Sequence, residues 1–148
     1  MSKIYFAGPL FCVSEKEFNL KLCKVFEDAG YDVFLPQRDG VLAAETENKS
    51  EEEILSTVFS KDTSHIKECD ILIFVTDGRV PDEGACVELG IAYALGKRCY
   101  GIRTDARVLE NGLSLNPLIA GCFKKVFFDY DSDKLISSIK DYLKENKL

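Results

Sequence analysis

The segment CDILIFV, residues 69–75, is almost continuously apolar and decides the fold class. A strand with one solvated face alternates apolar and polar residues, whereas this pattern is typical of a strand that is buried on both faces of a parallel sheet. Such a strand needs helices above and below it. We therefore predict a three-layer α/β sandwich.

Strand-like and helix-like segments alternate along the rest of the chain. Further strands are predicted at residues 4–7, 31–35, 98–102 and 125–128, and helices at residues 14–29, 50–67, 82–95, 113–120 and 132–146. Ser14 is the expected N-cap of the first helix, and residues 50–53 open the second with acids in its first turn. Gly30 and Gly96 follow the ends of two helices. The polar, patternless residues 37–49 are predicted to form a loop. This alternation predicts right-handed crossovers and one doubly wound parallel sheet, flavodoxin-like or Rossmann-like.

Composition narrows the class of protein further. The 148 residues suit a single domain over residues 1–148, and the formal net charge of -6 argues against binding to nucleic acid or to an anionic membrane. No apolar run reaches the ~20 residues that span a bilayer. The six cysteines lack metal-ligand spacing, and nothing resembling a signal peptide precedes the first strand. We expect reduced thiols and a cytoplasmic protein.

The motifs of several common sites are missing from the sequence. There is no GxGxxG or GxxxxGK[ST] segment, so a dinucleotide or ATP site is poorly supported. His65 is the only histidine, and it has no cysteine or acidic cluster beside it that would suggest a metal site. No GxSxG elbow accompanies it either. We expect neither a metal nor an organic cofactor.

Glu88 is the most unusual charge in the sequence. It is the only charged residue between Glu83 and Lys97, on a helix that is otherwise apolar and small. Burying an ionised carboxylate costs several kcal/mol or shifts its pKa unless partners are supplied. Gly84, one turn earlier, opens space in front of the carboxylate. Glu88 is therefore a candidate catalytic group, the alternative being a glutamate that extends to solvent at a subunit edge.

Three further residues are candidates with ordinary alternatives. Asp62 falls in the i, i+4 row of Val58 and Ile66, which is expected to face the core. Asp82 opens its helix and could simply be an N-cap. Tyr5 lies in the first strand, where its phenol could reach the carboxyl edge of the sheet or serve only as a core aromatic.

Four segments together resemble the nucleoside 2-deoxyribosyltransferase family. They are KIYFAGP at residues 3–9, KDTSHIKECD at 61–70, DEGACVELG at 82–90 and, more weakly, SLNPL at 114–118. They span most of the chain in the order and spacing of that family. The third segment, an aspartate six residues before Glu-Leu-Gly, is the most specific.

The resemblance implies a role for each matched residue. Glu88 matches the nucleophile, Asp62 the acid near the leaving base, Asp82 a second active-site carboxylate, and Tyr5 a tyrosine that hydrogen-bonds the nucleophile. Asn116 matches a residue that reaches a neighbouring subunit's pocket near the sugar 5′-hydroxyl.

The remaining substrate-binding residues are expected around the strand ends. They are Gly8, Pro9, Gly84 and the loop Gln37, Arg38 and Asp39. This loop aligns with a base-contacting loop but departs from the Asp-Asn-Gln or Glu-Asn-Gln expected there. Whether purines or pyrimidines are preferred is therefore left open.

The implied reaction exchanges the base of a 2′-deoxynucleoside for a free purine or pyrimidine base, through a 2-deoxyribosyl–Glu88 ester and with retention. The implied assembly is a homo-oligomer, a dimer or higher, with shared active sites. A 2′-deoxynucleoside 5′-phosphate N-hydrolase is the rival, which Arg79, Arg103 and Arg107 leave open and the asparagine at position 116 disfavours. A non-catalytic nucleotide-binding module on the same fold is a second rival.

Overall fold

The computed structural model describes residues 1–41, 43–109 and 112–148, and its centre is one five-stranded sheet. The strands are β1 (Lys3–Ala7), β2 (Asp32–Phe34), β3 (Ile71–Val75), β4 (Arg98–Arg103) and β5 (Lys125–Phe128). Every neighbouring pair is parallel, and the strand order is β2-β1-β3-β4-β5. The prediction of a doubly wound parallel sheet is confirmed.

Helices cover both faces of this sheet. In chain order they are α1 (Val13–Asp28), α2 (Pro36–Asp39), α3 (Ala43–Thr46), α4 (Glu51–Glu68), α5 (Glu83–Ala94), α6 (Pro117–Cys122) and α7 (Ser132–Glu145). Side chains of α1 and α7 fill the core on one face, and those of α4, α5 and α6 pack on the other. The chain is thus a three-layer sandwich, as the apolar strand at residues 69–75 predicted.

Strand β3 shows why that segment has to be apolar throughout. Ile71, Ile73 and Val75 enter the core under α1 and α7, and Leu72 and Phe74 enter the core under α4 and α5. All five are at most 2% exposed. Side chains alternate between the faces of a strand, so a central strand with helices on both sides has no solvated position.

Two helix starts follow from local hydrogen bonding. The helix predicted to open at residues 50–53 does so, with Ser50 as its N-cap. The Ser50 side chain accepts a hydrogen bond from the amide of Glu53, and the Glu53 carboxylate accepts one from the Ser50 amide at 2.8 Å. Ser14 is not the N-cap of α1, because the helix already begins at Val13. Glu15 instead accepts hydrogen bonds from the amides of Phe11 and Cys12 at 2.8 and 3.0 Å, so its carboxylate provides the cap.

The prediction of a plain loop over residues 37–49 is wrong in part. Residues 36–39 form α2, with Pro36 at its first turn, and residues 43–46 form α3. Proline fits a first helical turn because its missing N–H has no partner there. Four-residue helices are too short to show a helical period, so the sequence pattern could not reveal them.

Two other expectations need correction. The helix expected at residues 113–120 begins only at Pro117 and ends at Cys122. The row of Val58, Asp62 and Ile66 was expected to face the core along α4. Only the end near Ile66 lies in the core, and Val58 is 38% exposed. An 18-residue helix is roughly 27 Å long. A five-residue strand covers only about 17 Å, so the first turns of α4 extend past the sheet.

All six cysteines are free thiols, as expected. Among the helices of the described ranges, none has both the length and the apolar composition that crossing a membrane requires.

Candidate active site

Tyr5 and Glu88 meet on the face of the sheet that α4 and α5 cover. The Tyr5 phenol donates a 2.7 Å hydrogen bond to Glu88 Oε1. Tyr5 points to the α4 and α5 side of β1 and is fully buried, whereas Glu88 is half-buried on α5. In this strand order the connections diverge between β1 and β3. Open α/β sheets bind ligands beside such a switch point.

The protonation of Glu88 reflects this environment. The pKa of Glu88 is raised to about 7, chiefly by burial. The hydrogen bond from Tyr5 lowers this pKa, and the charges of Asp62 and Asp82 raise it. A carboxylate with this pKa is ionised in about half of the molecules at neutral pH. Glu88 is therefore poised between a nucleophile and a neutral acid.

The Tyr5 phenol stays protonated under the same influences. Burial and then the neighbouring Glu88 charge raise the pKa of Tyr5 well above its ordinary value. The phenol is consequently a permanent donor to Glu88. It fixes Oε1, and among the described residues no hydrogen-bond partner is recorded for Oε2.

Asp62 comes from α4 and lies near the same group. Burial raises the pKa of its carboxyl, with the charges of His65 and Lys61 acting in the opposite sense. A raised pKa favours the protonated form of Asp62, which a proton donor to a leaving base requires. It is half-buried, in agreement with its place in the row that includes Ile66.

A stack of rings holds α4 against the strands. The His65 ring lies 3.8 Å from the Phe34 ring, and Phe34 stacks on Tyr5 at 5.4 Å between centroids. Lys61 donates a 2.8 Å hydrogen bond to the carbonyl of Gly40. The sequence analysis predicted neither the His65–Phe34 stack nor the Lys61–Gly40 hydrogen bond. The positions of Lys61 and His65 beside Asp62, at i-1 and i+3, were the only sequence signal for a role of these two residues.

Asp82 has the capping role that its position suggested. Its Oδ1 accepts a 2.8 Å hydrogen bond from the amide of Ala85 at the start of α5. Its charge still acts on Glu88, whose pKa it raises. A Cβ on Gly84 would lie 3.3 Å from Asp82 Oδ1, so the glycine keeps the space beside the Asp82 carboxylate open.

Gly8 and Pro9 follow β1 at the carboxyl edge of the sheet. Gly8 has φ +152°, and a Cβ there would lie 3.1 Å from the Cβ of Val75. A side chain would be strained in that backbone and crowd β3, so glycine is required for the chain to leave β1 in this way. The Pro9 carbonyl accepts a 2.9 Å hydrogen bond from Asn19 Nδ2.

The proposed base-contacting residues have partners of their own. Gln37 accepts from Asn19 at 3.0 Å, and Arg38 pairs with Glu27 at 2.8 Å. Asp39 accepts from the amide of Leu35 at 2.9 Å. These contacts make α2 a rigid element, and contact between it and a base stays a prediction.

Asn116 is exposed and caps α6, accepting a 2.9 Å hydrogen bond from the amide of Leu118. The structure thus brings Tyr5, Asp62, Asp82 and Glu88 together, and places Gln37, Arg38, Asp39 and Asn116 in contacts of other kinds. In the described part of the chain, no three His, Cys, Asp or Glu side chains are arranged to hold a metal ion.

Comparison with known proteins places this geometry in context. A family model described as nucleoside 2-deoxyribosyltransferase matches residues 4–143. A comparison with curated protein sequences gives no significant match.

Solved structures show the same fold. A 2-deoxyribosyltransferase from Bacillus psychrosaccharolyticus is 28% identical, with a TM-score of 0.77 over 95% of this chain and 92% of that one. A conserved protein from Enterococcus faecalis V583 is 26% identical, with a TM-score of 0.75 over 95% and 98%. A CMP N-glycosidase from Clostridium botulinum is 18% identical, with a TM-score of 0.63 over 93% and 98%, and shares the fold.

Proposed function

Since the chain belongs to the nucleoside 2-deoxyribosyltransferase family, we propose that it exchanges the base of 2′-deoxynucleosides for a free purine or pyrimidine base. The observation that carries the proposal is Glu88, a half-buried carboxylate that is oriented by Tyr5 and has a pKa of about 7. Members of this family act on the N-glycosidic bond of nucleosides. A nucleophile beside that bond is what the reaction needs.

The first half of the proposed reaction breaks the glycosidic bond. Glu88 Oε2 attacks C1′ while Tyr5 holds Oε1, and the C1′–N bond breaks with its electron pair going to the base nitrogen. The proton of Asp62 passes to the departing base, directly or through water. A 2-deoxyribosyl–Glu88 ester results, and Asp62 is left ionised.

The second half reverses these steps with another base. A nitrogen of the incoming base attacks C1′, the ester bond to Glu88 breaks, and the proton of the incoming base returns to Asp62. Each displacement inverts C1′, so the product keeps the configuration of the substrate. The raised pKa of Asp62 suits a group that is protonated at the start of each cycle.

The decisive experiment is base exchange. Purified protein is mixed with 2′-deoxyinosine and free adenine, and the mixture is separated by chromatography, with Glu88→Ala as the matched control. We expect 2′-deoxyadenosine from the native protein and none from the variant. A non-catalytic nucleotide-binding module would instead give no new nucleoside and would bind ligand equally well in both forms.

A 2′-deoxynucleoside 5′-phosphate N-hydrolase is the second candidate, which Arg79, Arg103 and Arg107 favour because they lie around one cavity. It is tested in the same mixture with a deoxynucleoside 5′-monophosphate in place of 2′-deoxyinosine. Release of base from a deoxynucleoside monophosphate, with no exchange in the presence of a second base, would replace the transferase proposal with the hydrolase.

We also propose a homo-oligomer in which Asn116 completes a neighbouring subunit's site. Its exposed position on α6 is compatible with this role. Glu88→Ala and Asn116→Ala proteins are each inactive or weak under this arrangement, and mixing them after mild dissociation restores sites with both native residues. A mixture no more active than the sum of its parts contradicts shared sites.

A further inference from the structure

A cavity on the α6 side of α5 is unusually rich in arginine. It has a volume of about 210 Å³, and three of the chain's five arginines, Arg79, Arg103 and Arg107, line it. Its remaining wall is partly apolar, with Val80 and Ile119 among the lining residues. In a chain with a net charge of -6, this concentration of cations is a local exception.

Arg103 is the central residue of this cavity. It is only 4% exposed at the end of β4. Nη1 donates to the Thr76 carbonyl at 3.2 Å, and Nη2 donates to the Arg107 carbonyl at 2.5 Å. Its Nε is buried and has no hydrogen-bond partner within the described residues. No carboxylate in those residues forms an ion pair with it either.

The positive charge of the buried Arg103 guanidinium is not neutralised, because its only hydrogen-bond partners are carbonyl groups. Removing a cation from water costs several kcal/mol unless an anion or hydrogen-bond acceptors compensate it. Arg107 is already paired with Asp105, whereas Arg79 is exposed and has no recorded ion pair among the described residues. The cavity therefore has one buried guanidinium without an anionic partner, Arg103, and one exposed guanidinium that is free to contact a ligand, Arg79.

The charge and size of the cavity select the anion. Two unpaired guanidinium groups match a dianion better than a single carboxylate, and guanidinium groups bind phosphate oxygens in bidentate geometry. A volume of about 210 Å³ is below the ~300 Å³ at which pockets begin to enclose drug-sized ligands. The space suits a phosphate group with a small organic portion.

We propose that the cavity lined by Arg79, Arg103 and Arg107 is a binding site for a phosphate monoester. Arg103 supplies the buried charge, and Arg79 approaches from the exposed rim. The phosphate could belong to the nucleoside substrate or to a separate small ligand, and the chemistry of recognition is the same in both cases. The assignment does not depend on the reaction proposed for Glu88.

The alternative role of Arg103 is structural, because its two hydrogen bonds join the β3–α5 and β4–α6 connections. Arg79 separates the two roles, since its side chain has no recorded partner among the described residues. Arg79→Gln removes a charge from the cavity without removing a contact that holds the fold. Lys21→Gln, at an exposed site on α1, is the matched control.

The test is isothermal titration calorimetry of the Glu88→Gln protein with inorganic phosphate, methyl phosphate and acetate. We expect phosphate and methyl phosphate to bind and acetate to bind more weakly. Arg79→Gln and Arg103→Gln should each weaken phosphate binding by about tenfold or more, as the loss of a charged hydrogen bond does. Lys21→Gln should leave it unchanged.

Titration in the presence of a deoxynucleoside then distinguishes the sources of phosphate. A 5′-monophosphate that binds more tightly than its nucleoside, with an advantage lost in Arg79→Gln, identifies the substrate's own phosphate. Phosphate and nucleoside that bind at the same time identify a separate ligand. No binding at millimolar phosphate, equal binding of acetate, or affinity unchanged in Arg79→Gln overturns the proposal, even if Arg103→Gln fails to fold.

Discussion

The phenolic oxygen of Tyr5 lies 2.7 Å from Glu88 Oε1, and this hydrogen bond joins residues 83 positions apart. One belongs to the first strand and the other to the helix that follows the third. The bond fixes one carboxylate oxygen and lowers a pKa that burial raises. It therefore controls both the orientation and the protonation of the proposed nucleophile.

Replacing Tyr5 with Phe should shift the acid limb of activity to higher pH. An ionised Glu88 is required, so kcat/KM should fall as the pH drops through about 7. Loss of the Tyr5 hydrogen bond raises that pKa further. The pH profile of kcat/KM measures the shift, with Tyr93→Phe, at an exposed site on α5, as control. A limb that stays or moves to lower pH contradicts the assignment.

Replacing Glu88 with Gln should stabilise the protein while it removes activity. We expect turnover to fall by on the order of 10³-fold or more. The folded-state pKa of Glu88 is about 7, above its ordinary value of 4.5, so folding favours the protonated form. Stability from this group is fully present below pH 4.5 and is lost as the pH rises through about 7.

Glutamine is neutral at every pH and escapes that loss. The variant should exceed the native protein by about 3 kcal/mol in free energy of unfolding at pH 8, and should match it near pH 4. Urea unfolding at both pH values measures the difference. Glu83→Gln, exposed on the same helix, is the control. A Glu88→Gln protein that is less stable at pH 8 would show that burial does not strain this carboxylate.

Replacing Asp62 with Asn should slow the release of natural bases by about 10²- to 10⁴-fold, as expected for loss of a general acid. A 4-nitrophenyl 2-deoxyriboside, whose leaving group needs no proton, should be affected much less. The pKa of Asp62 is raised, so the native activity should decline as the pH rises through it, and this limb should vanish in the variant. Glu68→Gln on the same helix is the control. Equal losses on both substrates would exclude proton donation.

Two substitutions can separate the two roles of Asp82, the N-cap of α5 and the charge that acts on Glu88. Asp82→Ala removes the cap of α5 and should cost about 1 kcal/mol of stability, whereas Asp82→Ser keeps a capping oxygen and should cost little. Both remove the charge that raises the pKa of Glu88, so both should move the acid limb to lower pH. Thermal unfolding and the kcat/KM profile provide the two readouts. Native kinetics in Asp82→Ser would leave Asp82 as a cap alone.

Local patterns were sufficient for the framework of this protein. The apolar segment at residues 69–75 indicated a sheet with helices on both faces, and Ser50 and Asp82 were recognisable as helix starts, because both depend on neighbours within a few positions. The α1 start was missed because Glu15 caps it from inside the helix, and α2 was missed because it is only one turn long.

The sequence by itself determined the sheet, its helical layers and the presence of one carboxylate that an apolar helix does not explain. Only the tertiary structure decided that Tyr5 meets Glu88, that Phe34 and His65 stack, and that three arginines line one cavity. The physical reason is the separation in sequence between the residues that interact. Periodicity and capping act over a few residues, whereas these contacts form only where parallel strands bring distant segments to the same edge of the sheet.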